Sequence, residues 1–409
     1  MMNAATRDYI KRNLEADIRQ LALQRCSDAE VDMPLALRQI AGRKVARSKL
    51  PTWASNDDIL YPIGLSMEQC SSEQTASYKA DLCRRLLPSC PSPHTLIDLT
   101  GGFGVDFTLM SSVFQNATYV EQNADLFAVV TSNFVTMGKS VEALCSDGID
   151  YLHQFEGHAT IIFLDPARRD IHGGRTYGIA DCTPNVLDIK EELLSKADYV
   201  ILKLSPMLDW HKAVLDLGQQ YIKEVHVISV QNECKELLIV MEENTAEDPM
   251  LFCVNDDSTF TVALHSQANQ NAHIYQDDPS SLEGLFLYEP NASIMKAGCF
   301  NEMAAAFGVQ PLATNSHLFA SDSPITDFPG RKFQIAAISS MNKQELKTTL
   351  KDIQQANVTT RNFPLSVVEL RKRLKLADGG TDYIFATTLD ANRHVLLLCK
   401  KQPFKNNKL

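Results

Sequence analysis

Four carboxylates recur where short, β-rich apolar runs end. Asp98 closes Thr95–Asp98, Glu121 closes Ala117–Glu121, Asp147 follows Val141–Cys145, and Asp165 follows Ala159–Leu164. In an open α/β sheet, the carboxyl ends of the strands face the crevice in which ligands bind. An acid after a second strand is placed to accept from both hydroxyls of a ribose, and one after a third reaches the exocyclic amine of an adenine. Each acid alone is more often an ordinary helix N-cap or solvated turn; its repetition at four strand ends favours one shared ligand. The strongest local motif is Thr95-Leu-Ile-Asp98-Leu-Thr100-Gly101-Gly102-Phe-Gly104-Val-Asp106. A strand here runs into a glycine-rich turn that opens a helix, so a ligand can approach the backbone and meet helix N-terminal amides. The dinucleotide fingerprint G-x-G-x-x-G fails, because counting from Gly102 its third glycine would be Phe107. A nucleotide-like ligand is expected, and nicotinamide-dependent redox chemistry loses its main support.

The chain that must position these groups has 409 residues, 44% hydrophobic and 22% charged. That is enough for two or three domains with full cores, and too apolar for intrinsic disorder. The net charge of −11 gives no whole-protein pull toward nucleic acid or anionic membrane, so such contacts must come from local patches. Ten cysteines are scattered with no C-x-x-C pair and no histidine spacing that completes a zinc site. Reduced core thiols, no metal and a cytoplasmic location are expected. No membrane contact is expected either, since no run approaches the roughly 18 apolar residues of a span. Oligomeric state is not legible.

Residues 1–90 read as a helical region, with Tyr9, Ile10, Leu14, Ile18, Leu21 and Ala22 at spacings of three and four. Between Asp32 and Asp57 no acid occurs, while Arg38, Arg43, Lys44, Arg47 and Lys49 supply five positive charges; this is a solvated helix face or a phosphate-contacting patch. Residues 91–245 alternate β-rich runs with amphipathic segments, which implies a mostly parallel sheet covered on both faces. After the four runs above come Asp198–Leu204, Val225–Val230 and Glu236–Met241. About five residues, Gln231–Lys235, join the last two, too few for a crossover helix, so the seventh strand must run antiparallel to the sixth. Residues 246–330 read as a small α+β, ferredoxin-like module with a strand at Leu285–Tyr288 and a helix over Ser293–Phe307. Residues 331–409 read as strand Phe333–Ile338, helices Asn342–Asn357 and Leu365–Leu376, and a hairpin of Tyr383–Thr388 with His394–Cys399.

Over residues 70–243 the sequence resembles the class I S-adenosylmethionine-dependent methyltransferases, including the antiparallel seventh strand. Asp98-Leu-Thr-Gly-Gly-Phe-Gly104 resembles motif I, with Thr100 where the first glycine usually stands. Tyr119-Val-Glu121 resembles the ribose-binding strand, Ser146-Asp147-Gly148 the adenine-contacting turn, and Asp165-Pro-Ala-Arg168 motif IV. The resemblance implies an α/β fold with a seven-stranded Rossmann-like sheet and S-adenosylmethionine as cofactor. It implies cofactor contacts from Asp98, Thr100, Gly101, Gly102, Gly104, Asp106, Glu121, Asp147, Gly148, Asp165 and Pro166, with Asp165, Arg168 and Lys203 at the reaction.

Motif IV leaves the target atom open. Amino-nitrogen methylases carry Asp/Asn-Pro-Pro-aromatic, whereas Ala167 and Arg168 stand in the last two places here. The pattern is nearest the Asp-Pro-Pro-Arg of RNA uridine-C5 enzymes, which also need a thiol nucleophile; Cys182 and Cys234 are the candidates. A third arrangement resembles the Lys-Asp-Lys-Glu tetrad of ribose 2′-O methyltransferases, with Lys79, Asp165, Lys203 and Glu233 or Glu236. The loop Pro166–Thr183 carries Arg168, Arg169, His172, Gly173, Gly174 and Arg175 and suits phosphate capture or ordinary surface ion pairs. Tyr288-Glu-Pro-Asn291, Phe363-Pro364 and Gly379-Gly380-Thr381-Asp382-Tyr383 resemble a THUMP-like module, which implies an RNA substrate. Arg371-Lys372-Arg373 and the basic end (Arg393, Lys400, Lys401, Lys405, Lys408) form an electrostatic footprint or a solubilising tail. The alternative functions are methylation of a protein or small molecule, and non-catalytic binding of RNA or cofactor.

Overall fold

The computed structural model describes every residue except 1, 25, 27, 169–177, 246–247, 265–273, 276–277, 390–391 and 402–409. The basic loop residues Arg169, His172, Gly173, Gly174 and Arg175, and the tail lysines Lys405 and Lys408, lie outside the described residues. The chain divides into two compact units, residues 1–225 with 236–247 and residues 226–235 with 248–409. Among the described residues no helix is long and apolar enough to cross a membrane.

The first unit begins with six helices: α1 (Ala4–Arg12), α2 (Ile18–Leu23), α3 (Met33–Lys49), α4 (Pro51–Ala54), α5 (Gly64–Gln69) and α6 (Glu73–Leu86). Polar caps set the starts of the longer ones: Asn3 accepts from Thr6 N–H, Asp32 from Leu35 N–H and Ser72 from Thr75 N–H. The predicted apolar stripe is buried as a cluster of Ile10, Leu21, Ala36 and Ile40. Four of the five cations of the basic stretch have partners within the leader, while Arg38 is exposed. Arg43 is buried against Asp57, Lys44 donates to Ala16 C=O, Arg47 pairs with Glu15, and Lys49 donates to the carbonyls of Met67 and Glu68. Those cations stitch the leader to itself.

An irregular segment around Leu60 and Tyr61 has no ladder partner, so two buried amide side chains serve instead. Gln39 exchanges two 2.9 Å hydrogen bonds with the Tyr61 backbone, and Asn133 two of 2.8 Å with the Leu60 backbone. Asn133→Ala leaves both Leu60 groups without these partners, and the expected cost is about 2 kcal/mol of stability, measurable by denaturant unfolding.

Seven strands follow, residues 226–235 of the last two being counted with the second unit: β1 (Thr95–Asp98), β2 (Asn116–Val120), β3 (Glu142–Leu144), β4 (Ala159–Leu164), β5 (Ala197–Leu204), β6 (Ile222–Val230) and β7 (Glu233–Met241). Their order is β3-β2-β1-β4-β5-β7-β6. The first five pair in parallel, and β7 lies antiparallel to β5 with Leu202 opposite Ile239. The link between β6 and β7 is shorter than expected, only Gln231 and Asn232, with φ of 51° and 61°; a two-residue hairpin turn needs left-handed backbone at both places. Helices α7 (Val105–Met110), α8 (Ala124–Thr136), α9 (Gly148–Gln154), α10 (Val186–Ser195) and α11 (Trp210–Leu217) alternate with the strands. Every residue of β4 is buried, as a central strand covered on both faces requires.

In the second unit β8 (Met250–Asn255) and β9 (Ser258–Ala263) form an antiparallel hairpin. A separate sheet has β10 (Phe286–Pro290), β11 (Gln310–Pro311), β12 (Phe319–Ser321), β13 (Gly330–Ser339), β14 (Asn357–Arg361), β15 (Asp382–Leu389) and β16 (Arg393–Lys401), in the order β11-β12-β10-β13-β16-β15-β14. Alternation splits its side chains between two cores. Phe385, Val395, Leu397 and Cys399 enter one, while Ile384, Ala386, Leu396 and Leu398 enter the other, beside Leu346 and Leu370. Two expected helices are corrected. Ser293–Phe307 is broken at Gly298 (φ 77°) into α12 (Ala292–Ala297) and α13 (Phe300–Phe307). Asn342–Asn357 shrinks to α14 (Lys343–Thr349), and Asn357 instead opens β14, whose β-branched Val358, Thr359 and Thr360 pair in parallel with β15. The basic helix is α15 (Val367–Leu374), opened by a Ser366–Glu369 capping box. Residues 393–401 are not a free tail, since β16 pairs with β13 on one side and β15 on the other.

Candidate active site

The glycine turn stands between β1 and α7. Gly102 has φ 56°, and a Cβ there would meet only Thr100 O, at 3.6 Å, so its outer side is open. Gly101 is different: a Cβ would lie 2.1 Å from the Tyr119 ring, whose hydroxyl donates to Gly102 C=O at 2.6 Å. One glycine leaves room for a ligand, and the other lets the turn pack on β2.

Two of the four strand-end carboxylates, Glu121 and Asp98, bond directly to this turn, and Asp165 reaches it through its backbone amide. Glu121 accepts from Gly102 N–H (2.8 Å) and Asn123 N–H (2.7 Å). Asp98 accepts from Thr100 N–H at 3.0 Å, and Thr100 Oγ1 accepts the Asp165 N–H at 2.6 Å. Thr100, the departure from the glycine pattern, therefore ties the β1 turn to the end of β4. Asp147 caps α9, accepting from Ile149 and Asp150, with Gly148 the first helical residue. Pro166 is buried; Arg168 lies in a two-residue strand pairing with Cys182. Cys182 is 1% exposed, so this thiol is closed off from a substrate ring.

Beneath the turn lies a network the sequence only partly discloses. Lys203, late on β5, pairs with Asp165 at 2.6 Å and lies 3.5 Å from Asp106 Oδ2. Lys79 of α6 pairs with Glu236 of β7 and stands 3.1 Å from Asp106 Oδ1, an ion contact rather than an aligned hydrogen bond. Ser71 donates to Asp106 at 2.8 Å and accepts from Lys79 at 3.1 Å. Side-chain exposure is 0% for Lys79, 4% for Glu236, 10% for Lys203 and 11% for Asp106, but 39% for Asp165. Only the last is substantially open. Two lysines against three carboxylates leave one excess negative charge.

Burial alone would drive the Lys203 ammonium toward neutrality, but Asp165, Asp106 and Glu236 outweigh it and push its pKa up. Lys203 is a cation at neutral pH and not a base. Burial likewise opposes ionisation of Asp106, yet Lys79 and Lys203 hold it below the usual carboxylate range. Asp98 is pushed well above that range by burial, against the Thr100 amide, with Asp106, Asp165 and Glu121 adding to the rise.

Asp106, expected at the cofactor, sits between two lysines, and Lys79, considered as one of a substrate-facing tetrad, is sealed inside the protein. Glu236, not Glu233, is its partner. Ser71 has no counterpart among the expected site residues. A signal exists for Lys79: it shares the buried face of α6 with Thr75, Ala76, Leu82, Cys83 and Leu86, and a lysine inside such a stripe requires a buried counter-charge.

Family models match residues 286–329 as a ferredoxin-like domain and residues 330–401 as a THUMP domain-like region. Among solved structures, a protein of Porphyromonas gingivalis W83, provisionally designated a methyltransferase, is 31% identical, with 98% of this chain and 100% of that chain covered and a TM-score of 0.83. A protein of Listeria monocytogenes, provisionally designated a class I S-adenosylmethionine-dependent methyltransferase, is 9% identical over 63% of this chain and 94% of that one, with a TM-score of 0.39. A comparison with curated proteins gives no match. With its β3-β2-β1-β4-β5-β7-β6 order, antiparallel β7 and full-length likeness to the Porphyromonas protein, the chain belongs to the class I S-adenosylmethionine-dependent methyltransferases, followed by ferredoxin-like and THUMP-like modules.

Proposed function

We propose that the protein transfers the methyl group of S-adenosylmethionine to a nucleophilic atom of a structured RNA, with Asp165 and Lys203 at the reacting atoms. The observation carrying this reading is the 2.6 Å Lys203–Asp165 pair at the carboxyl ends of β4 and β5, where the excess negative charge of the network reaches the surface through half-exposed Asp165. A fixed negative excess favours a sulfonium cation beside it. The residues present fit the cofactor. Glu121 retains a second lone pair on each oxygen for ribose hydroxyls, the open face of Gly102 admits the ligand to the turn, and Asp147, which caps α9, is the residue we assign to the adenine. When bound, the cofactor supplies an electrophilic methyl group. Asp165 accepts the N–H or O–H of the substrate nucleophile and takes its proton, while charged Lys203 holds the Asp165 carboxylate in place.

RNA as substrate is supported by the THUMP-like match over 330–401 and by exposed Lys372 and Arg373 on α15. The test is methyl transfer from labelled cofactor to total RNA of a strain lacking the gene, followed by mass spectrometry of the nucleosides. RNA affinity is expected to fall with salt. Lys372→Gln with Arg373→Gln is expected to flatten that slope by about 0.7 to 0.9 for each RNA phosphate no longer neutralised. These substitutions replace truncation, which would remove β16. Negligible RNA binding by the full chain at low salt would shift the reading to a protein or small-molecule substrate.

A further inference from the structure

We propose that the N-terminal helical region completes the methyl-transfer site, with Lys79 a positioning residue that fixes Asp106 and, through Asp106, the Lys203–Asp165 pair. The inference rests on the proposed function, in which Asp165 and Lys203 meet the reacting atoms. Lys79 itself cannot touch a substrate, being 0% exposed. Its ammonium is spent on Glu236, Asp106 and Ser71, and Ser71 donates in turn to the same Asp106 oxygen that lies 3.5 Å from Lys203. A packing role alone would be met at lower cost by an apolar side chain of the same length, since burying an ion pair is expensive. What an apolar residue cannot do is divide Asp106 between two cations. Without Lys79, Asp106 turns wholly to Lys203 and competes with Asp165 for it, and the pair at the crevice loses its alignment. Displacing a reacting group by about 1 Å is enough to slow a reaction about 10²-fold.

The groups facing Lys203 are Asp165, Asp106, Glu236 and the Cys70 thiol, with Lys79 behind Asp106. Removing the Asp106 charge leaves burial less opposed, so Lys203 gives up its proton at lower pH. The experiment is a double-mutant cycle on the full chain, with labelled S-adenosylmethionine and total RNA of a deletion strain as probe. Lys79→Met and Asp106→Asn are each expected to lower kcat by about 10²-fold with the KM for cofactor little changed. The double variant is expected within about 2-fold of Asp106→Asn alone, because Lys79 acts only through that residue. The alkaline limb of the kcat profile moves to lower pH in Asp106→Asn. Should Lys79→Met not fold, Ser71→Ala loosens the same carboxylate without unpairing a lysine, and a kcat loss with unchanged cofactor KM supports the proposal. Additive effects in the cycle, or single variants within about 2-fold of wild type, overturn it while wild-type turnover stands. No methyl transfer by the wild-type protein overturns the reading beneath it as well.

Discussion

Asp165→Asn is expected to lower kcat for methyl transfer by about 10²- to 10⁴-fold, the range that a positioned proton acceptor contributes, with cofactor affinity changed by less than about threefold. The amide keeps the side-chain volume and leaves intact the 2.6 Å bond from Asp165 N–H to Thr100, so the turn that meets the cofactor stays as it is. What changes is charge. Lys203 loses the charge of its partner at 2.6 Å and retains Asp106 at 3.5 Å, and no carboxylate remains to take the substrate proton. Single-turnover transfer from labelled cofactor separates this loss from any defect in binding. If turnover survives within a few-fold, Asp165 is not at the reacting atoms, and Lys203 acting on the substrate electrostatically becomes the better arrangement. Lys203→Met then decides between them, since it removes the cation and leaves the carboxylate.

The parts of this site that can be read from the chain are those confined to one strand and the turn after it. β1 and β4 fall where the apolar runs place them, because a short strand buried on both faces is a short apolar run and little else. The antiparallel β7 follows from loop length alone. The buried network cannot be read the same way. Ser71, Lys79, Asp106, Lys203 and Glu236 come from α6 and the turn before it, α7, β5 and β7, and nothing local tells a lysine on a helix face that its counter-charge lies 157 residues away. The basic stretch in α3 misleads for a related reason. Charge density along a sequence does not reveal whether a cation faces solvent or the carbonyls and carboxylates of its own leader. In the C-terminal unit the errors are of periodicity: Leu350 and Ile353 continue the helical spacing of Leu346 past Thr349, where α14 ends, and the chain enters the sheet only at Asn357. The same spacing runs straight through Gly298, whose left-handed backbone ends the helix there.

Binding of S-adenosylmethionine, or of its demethylated product, is expected to stabilise the wild-type protein by about 2.7 kcal/mol at a hundredfold excess over Kd, as mass action requires of a ligand that binds the native state. Glu121→Ala and Gly102→Val are each expected to abolish the resulting rise in melting temperature, for different reasons. Glu121 is the anchor of the turn as well as a hydroxyl acceptor: its Oε2 takes the Gly102 N–H and its Oε1 the Asn123 N–H. Alanine removes both ties and leaves the ligand no partner at the end of β2. Gly102 lies at φ 56° with open space where a side chain would begin. A β-branched residue there is strained by its backbone and occupies the ligand's approach to the turn. Gly102→Ala separates the two causes, since it keeps most of the backbone strain while adding a single methyl group. Melting curves of the three variants with and without ligand provide the measurement, with NAD as the control expected to give no shift. Full retention of the shift in both Glu121→Ala and Gly102→Val would place the cofactor away from this turn, and a shift with NAD alone would return the chain to dinucleotide chemistry.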